Sequence, residues 1–368
     1  VGESSEPVIN RARRISSLRE AIAEQGLAAL LITNLPNIFY LTGFSGTTAF
    51  LVVTPQENFF FTDSRYLERV KYEVEGAAIV DNTNVPMEKS LNELAQKVRI
   101  SPLGFEADHV SFSLHQRLSE KLEGIELRPT RMLVENLRMV KEPGEVELIR
   151  RAIRLNEEVL EELYALCDDH VTEADRAAEY EYRIRRKGAT RAAFSPIVAS
   201  GPNSAMPHAT FTSQKLVPGA PLTFDLGCVV DGYCSDMTRT VFYKECPPRW
   251  EEIYRIVKEA KDAAMAYAKG GMVGKEVDRV AREIIERAGF GDKFGHGLGH
   301  GLGIEVHEPP RYAKTGDLEV PAGAVMSIEP GIYIEGEGGI RIEDLVLVRE
   351  DGVDNLNSLT DELTIVGG

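Results

Sequence analysis

In the second half of the chain, acidic residues recur where strand-like apolar residues surround them. Phe224–Asp225–Leu226–Gly227 sets one carboxylate in an apolar run, and Asp236 follows eleven residues later in Ser235–Asp236–Met237–Thr238. Between them Asp231–Gly232–Tyr233 reads as a hairpin turn, which would fold the flanking strands antiparallel and bring Asp225 close to Asp236. Ser327–Ile328–Glu329–Pro330–Gly331 and Arg341–Ile342–Glu343–Asp344 supply Glu329 and Glu343, fourteen residues apart and again among apolar residues. His300 stands in the glycine-rich run from His296 to Gly303, and His307 follows in Glu305–Val306–His307–Glu308. Glycines around His300 allow the backbone to approach an ion or substrate closely. Buried carboxylates without partners are costly, so a cation should sit among them. Four carboxylates and one imidazole form a hard, oxygen-rich donor set. It suits two closely spaced divalent ions, Mn2+ or Co2+ by ligand softness, with Zn2+ also compatible.

Taken singly, the same residues have plainer readings. Asp225 alone reads as a turn or cap residue. His208 and His307 alone read as ordinary hydrogen-bonded histidines. The run 295–303 is no dinucleotide fingerprint, because no strand leads into it and no helix obviously follows. Their joint occurrence, with five of the seven histidines in this part of the chain, favours the metal reading.

Such side chains need a scaffold, and the pattern of apolar residues predicts one. Residues 12–26 read as a helix, 28–33 as a buried strand and 34–36 as a turn. Paired strands are expected at 48–54 and 58–62, a helix at 65–75, a strand at 77–81 and a helix at 87–98. Strands at 103–106 and 126–129, with a helix at 114–122, complete an α/β layer with a mixed sheet. The periodicity breaks across 131–143, which predicts domains at 1–135 and 136–368. In the second, helices at 145–168 and 173–187 precede strands near Ile197, at 222–230 and at 238–243. Helices at 249–269 and 275–288 then precede strands near Ala324 and Ile340. That order suggests a duplicated half without strong self-similarity.

Composition bounds the function classes. With 368 residues, 43% hydrophobic and 27% charged, the chain is long enough for two ordinary globular domains. A formal charge of −16 disfavours nucleic acid and anionic membrane surfaces as partners. Cys167, Cys228, Cys234 and Cys246 form no C-x-x-C pair, and reduced thiols in a cytoplasmic protein are expected. Residues 1–14 hold no apolar run, so no secretory signal is expected, and no stretch approaches a transmembrane span.

The motifs resemble those of the Xaa-Pro aminopeptidases and prolidases, the proline-specific branch of the pita-bread metallopeptidases. The resemblance rests on Asp225–Leu226–Gly227 with Asp231–Gly232–Tyr233–Cys234–Ser235–Asp236–Met237–Thr238–Arg239–Thr240, and on the run from Gly299 to Glu308. Glu329–Pro330–Gly331–Ile332–Tyr333 and Gly339–Ile340–Arg341–Ile342–Glu343–Asp344 extend it. In the first part, Tyr40–Leu41–Thr42–Gly43–Phe44–Ser45–Gly46 and Thr62–Asp63–Ser64–Arg65–Tyr66 resemble the family's N-terminal domain. It implies an α/β (α+β) chain with a creatinase-like N-terminal domain and a pita-bread catalytic domain. It also implies hydrolysis of the Xaa-Pro bond by two divalent ions, Mn2+ foremost, in a cytoplasmic homodimer. Asp225, Asp236, His300, Glu329 and Glu343 would be the ligands, with Asp236 and Glu343 bridging. Glu329 would be the general base, His307 would hydrogen-bond the carbonyl oxygen, and His208 would help hold the substrate or stabilise the intermediate. His296 would line the proline pocket, with Val306 and Phe194 as weaker choices. Arg311 would grip the free carboxylate of a dipeptide, and Arg341 would orient Glu343 or a neighbouring acid. His296 leans towards an aminopeptidase and Arg311 towards a dipeptidase, with the balance slightly to the aminopeptidase. Creatinase-type amidinohydrolases and non-catalytic pita-bread binding modules share the fold, but they lack the complete ligand set.

Overall fold

A computed structural model describes residues 8–367. It divides into two compact units, Ile9–Arg138 and the chain from Met139 onward.

The first unit is built on a six-stranded mixed sheet. Its order is Ala78–Asp81, Asn58–Thr62, Ala49–Val53, Ala29–Ile32, Leu103–Glu106, Leu127–Thr130. Ala29–Ile32 is apolar at every position and buried at every position, as a central strand covered on both faces requires. Two local expectations fail. Residues 34–36 are not a turn but the start of the helix Leu35–Thr42, with Pro36 in its first turn and Gly43 closing it at φ +87°. Residues 65–75 do not form one helix, and only Val70–Glu73 is helical. Asp63 captures the backbone N–H of Arg65 at 3.0 Å, and this side-chain bond competes with helix initiation.

The second unit repeats one plan: two helices, then a mainly antiparallel sheet, in which only Ile365–Val366 pairs in parallel among this unit's described strands. Pro143–Tyr164 and Glu173–Arg186 precede a sheet ordered Ile365–Val366, Met237–Tyr243, Pro221–Leu226, Ile197–Ser200. Pro248–Tyr267 and Gly274–Arg287 precede a sheet ordered Glu308–Tyr312, Gly299–Gly301, Val325–Ile328, Asp344–Val348, Val353–Asn355. Gly331–Ile334 and Gly338–Arg341 form a separate ribbon. Each helix pair has its own apolar core, one around Tyr180 and Phe224 and the other around Val257 and Ile340. Among the described residues no helix is long and apolar enough to cross a membrane, and all four cysteines are free.

The two-residue period of the strands decides which side chains reach the site. Leu222, Phe224 and Leu226 pack into the first core, which leaves Thr223 and Asp225 on the opposite face. Met237, Val241 and Tyr243 likewise belong to that core, so Thr238 and Thr240 share the polar face. Asp225 pairs with Thr238 across the ladder, and Thr223 Oγ1 lies 3.1 Å from Thr240 Oγ1. The expected turn is present. Asp231 (φ 48°) and Gly232 (φ +86°) both take the left-handed conformation that a tight hairpin needs.

Candidate metal centre

Asp236, just before the strand Met237–Tyr243, meets His300 and Glu343 from the other sheet. Their potential ligand atoms lie within 4.8 Å of one another. His300 Nε2 stands 3.3 Å from Glu329 Oε1 and 3.7 Å from Asp236 Oδ2. Its Nδ1 is 3.1 Å from the carbonyl of Gly301; a proton on Nδ1 leaves Nε2 with its lone pair towards the carboxylates. His300 therefore lies in a short strand where a loop was expected. The positions where side chains would stand on the glycines beside it are filled by protein backbone. A Cβ on Gly299 would stand 2.0 Å from the carbonyl oxygen of Ser327, and one on Gly301 would stand 2.5 Å from that of Pro309.

Asp225 and Glu343 each have one oxygen held and one unheld. Thr238 Oγ1 donates to Glu343 Oε2 at 2.8 Å, and Arg341 Nη2 donates to Asp225 Oδ2 at 2.6 Å. Asp225 Oδ1, Asp236 Oδ1 and Glu343 Oε1 are buried without any hydrogen-bond partner. Burial pushes the carboxyls of Asp236 and Glu343 well above the ordinary range, and neighbouring acids push further: Glu343 and Asp225 on the first, Glu329 and Asp225 on the second. Burial also raises Asp225, against the pull of Arg341. When His300 carries a second proton on Nε2, as its carboxylate neighbours favour without an ion, its bond and charge, with the charges of His296 and Arg341, outweigh the burial of Glu329 and hold it at about 2. Buried carboxyls packed this closely beside one imidazole, with unpartnered oxygens, must either keep protons or share a cation, and the donor set suits a divalent ion.

The other expected residues fall into two groups. His307 is exposed, with its ring centroid 4.4 Å from that of His300 in an edge-to-face arrangement, and partial desolvation with the neighbouring His300 charge lowers its pKa. Arg311 pairs with His300 across the ladder, is exposed, and makes no side-chain bond among the described residues. His208 is exposed and near enough to His296 and His307 to depress both. Val306 and Phe194 are half-buried. Arg341 is buried and donates to Asp225, Tyr333, Thr238 and the carbonyl of Pro207, so of the acids that the sequence allowed it orients Asp225. Its bond to Tyr333 Oη (2.7 Å) continues to His296 Nε2 (2.9 Å), which ties the His296 ring to the centre.

Three supporting side chains were not singled out from sequence: Thr238, Tyr333 and Ser327. Ser327 Oγ accepts from the His300 N–H at 3.0 Å and donates to Glu329 Oε1 at 3.1 Å, bridging two expected ligands. All three lie within two to four residues of an expected ligand, and that proximity was the only signal they gave.

Residues 147–350 match the model of metallopeptidase family M24, and residues 14–140 match the creatinase/prolidase N-terminal domain. The chain belongs to metallopeptidase family M24. Among solved structures, this M24 chain resembles an Xaa-Pro dipeptidase from Bacillus anthracis. The two are 34% identical with a TM-score of 0.93, covering 97% of this chain and 100% of that one. An X-Pro aminopeptidase from Thermotoga maritima is 35% identical, with a TM-score of 0.90 and 96% and 99% coverage. In sequence, the Xaa-Pro dipeptidase of Pyrococcus furiosus is 33% identical, covering 95% of this chain and 99% of that protein. The motif resemblance and the expected architecture, a creatinase-like domain followed by a pita-bread domain, both hold.

Proposed function

We propose that this M24 chain is an Xaa-Pro dipeptidase that works with two divalent ions, Mn2+ foremost, held by Asp225, Asp236, His300, Glu329 and Glu343. The observation that carries it is the buried cluster of Asp236, His300 and Glu343, whose ligand atoms lie within 4.8 Å of one another, with an unpartnered oxygen left on each of its two acids and on Asp225. Bound divalent ions would lower the pKa of a water molecule and polarise the scissile carbonyl. Glu329 is ionised, and its Oε2 makes no bond among the described residues, so it is free to receive the water proton. His307 is exposed beside His300, and a neutral imidazole keeps one N–H to donate to the carbonyl oxygen as charge develops. His208, exposed near His296 and His307, steadies the substrate. His296, pinned through Tyr333, lines the proline pocket with its ring. An Xaa-Pro amide has no N–H, so a shaped wall suits it better than a hydrogen-bond acceptor.

Substrate length is read from Arg311. Its uncommitted guanidinium lies on the His300 side of the ladder, where a dipeptide's free carboxylate would need a cation. Two of the three related proteins described above are dipeptidases, which also moves the balance away from the aminopeptidase that the sequence slightly favoured. The same reading assigns residues 1–135 to dimer contacts and the enzyme to the cytoplasm.

The test is hydrolysis by metal-stripped and Mn2+-reconstituted protein of a Xaa-Pro dipeptide and a Xaa-Pro-Xaa tripeptide. Metal-dependent cleavage of the dipeptide is expected, with Arg311→Ala raising its KM by roughly tenfold or more. Comparable cleavage of the tripeptide would restore the aminopeptidase reading. No cleavage of either by fully loaded protein would refute proline specificity.

A further inference from the structure

The loop that carries His208 hangs from one buried carboxylate. Glu173 opens the helix Glu173–Arg186 and is 0% exposed. Its Oε1 accepts the backbone N–H of Ser200 at 2.6 Å. Its Oε2 accepts Asn203 Nδ2 at 2.8 Å, the Thr212 N–H at 2.9 Å and Thr212 Oγ1 at 2.6 Å. All four donors belong to residues 200–212, and among the described residues no cation pairs with Glu173. The backbone N–H groups of Glu173 and Ala174 also donate to the carbonyls of Gln214 and Thr212, so one helix end grips both ends of the loop.

The middle of the loop is held from the other side. Ser204 Oγ accepts the Gly339 N–H at 2.9 Å, and Arg341 Nη1 donates to the Pro207 carbonyl at 3.2 Å. Arg341 also holds Asp225, so the loop is fixed against the metal ligands at its centre and against Glu173 at its ends. The His208 side chain makes no bond of its own among the described residues, so its position comes from the loop backbone. A carboxyl group buried this deeply is tolerable only while its donors stay in place, and moving this loop would leave its oxygens without partners.

We propose that Glu173 is a positioning residue that acts through residues 200–212 to hold His208 over the active site. The proposal rests on the role assigned to His208 above. Four proteins test it: wild type, Glu173→Gln, His208→Ala and the double variant. Each is loaded with Mn2+ and assayed on a Xaa-Pro dipeptide, with bound metal per chain and thermal melts recorded. Glu173→Gln should lower kcat roughly tenfold at unchanged metal content, because small misplacements of a positioned group cost that much. In the His208→Ala background the same change should cost less than about twofold, since the group it positions is gone. An equal loss in both backgrounds, or a wild-type kcat for Glu173→Gln, overturns the proposal while leaving His208 its role. A wild-type rate for His208→Ala removes that role and the proposal with it. If Glu173→Gln does not fold, Asn203→Ala, which removes one donor of the four, takes its place in the same cycle.

Discussion

A carboxylate oxygen buried without a donor is a standing liability, and this centre holds three of them. Glu343→Gln removes one such charge while keeping the shape. The metal-free variant should therefore melt at the same temperature as metal-free wild type, or higher. The rise in Tm that Mn2+ gives the wild type should shrink, and activity should fall by roughly 10^3-fold, a loss of about 4 kcal/mol. A lower Tm for the metal-free variant would mean that Glu343 is satisfied by protein groups after all. At this scale the acids were legible in sequence because each interrupts an apolar run, where a charge needs a reason. The partner of Arg341 was not legible. Asp225 and Glu343 were both plausible, and choosing between them needs the strand faces, which only the folded ladder reveals.

The strand Gly299–Gly301 carries His300 because its glycines let it slot between two neighbours. Gly299→Ala would push a methyl group against the Ser327 carbonyl and should destabilise the fold by about 3 kcal/mol. Denaturant melts at constant m-value would check this, and a neutral result would show that the strand can shift aside. Long helices with clear apolar stripes, such as Pro143–Tyr164 and Pro248–Tyr267, stood out in the sequence. Gly299–Gly301 did not, because three residues of glycine and histidine carry no apolar alternation. Leu35–Thr42 and the segment before Val70 were misjudged for a related reason. Both depend on side-chain and proline effects at one or two residues rather than on periodicity.

At the scale of the whole catalytic unit, a second charged cluster adjoins the candidate metal centre, at Asp344 beside Glu343. Asp344 pairs with Arg239 at 2.7 Å and with Lys261, and Lys261 reaches Asp361 at 2.6 Å, which Lys258 also holds at 3.0 Å. Burial alone would raise the Asp361 carboxyl, but Lys261 and Lys258 outweigh it and hold the group at about 2. A depressed folded pKa contributes stability above the unfolded value near 4 and loses it as pH falls towards 2. Wild type should therefore exceed Asp361→Asn by on the order of 1–2 kcal/mol at neutral pH, with the gap closing between about pH 4 and pH 2. A gap that stays constant through that range in melts against pH would contradict this assignment. The repeated order of helix pairs and strands was readable from the sequence. This cluster was not, because Lys258, Lys261 and Asp361 look like ordinary surface charges until the chain after Asn355 folds back over them.

Arg239 joins the two clusters. It donates to the carbonyl of Glu343 on one side and to those of Leu359 and Thr360 on the other. The backbone that presents Glu343 is thus braced by a guanidinium that also holds Asp344 and the Thr238 carbonyl and that takes two more partners from the segment at 359–360. Completing the ligand set is therefore a late event in the life of each molecule. During synthesis Asp225 and Asp236 emerge more than a hundred residues before Glu343, and they must wait with their charges uncompensated. Docking of the segment at 359–360 and tight metal capture should therefore be coupled, each favouring the other.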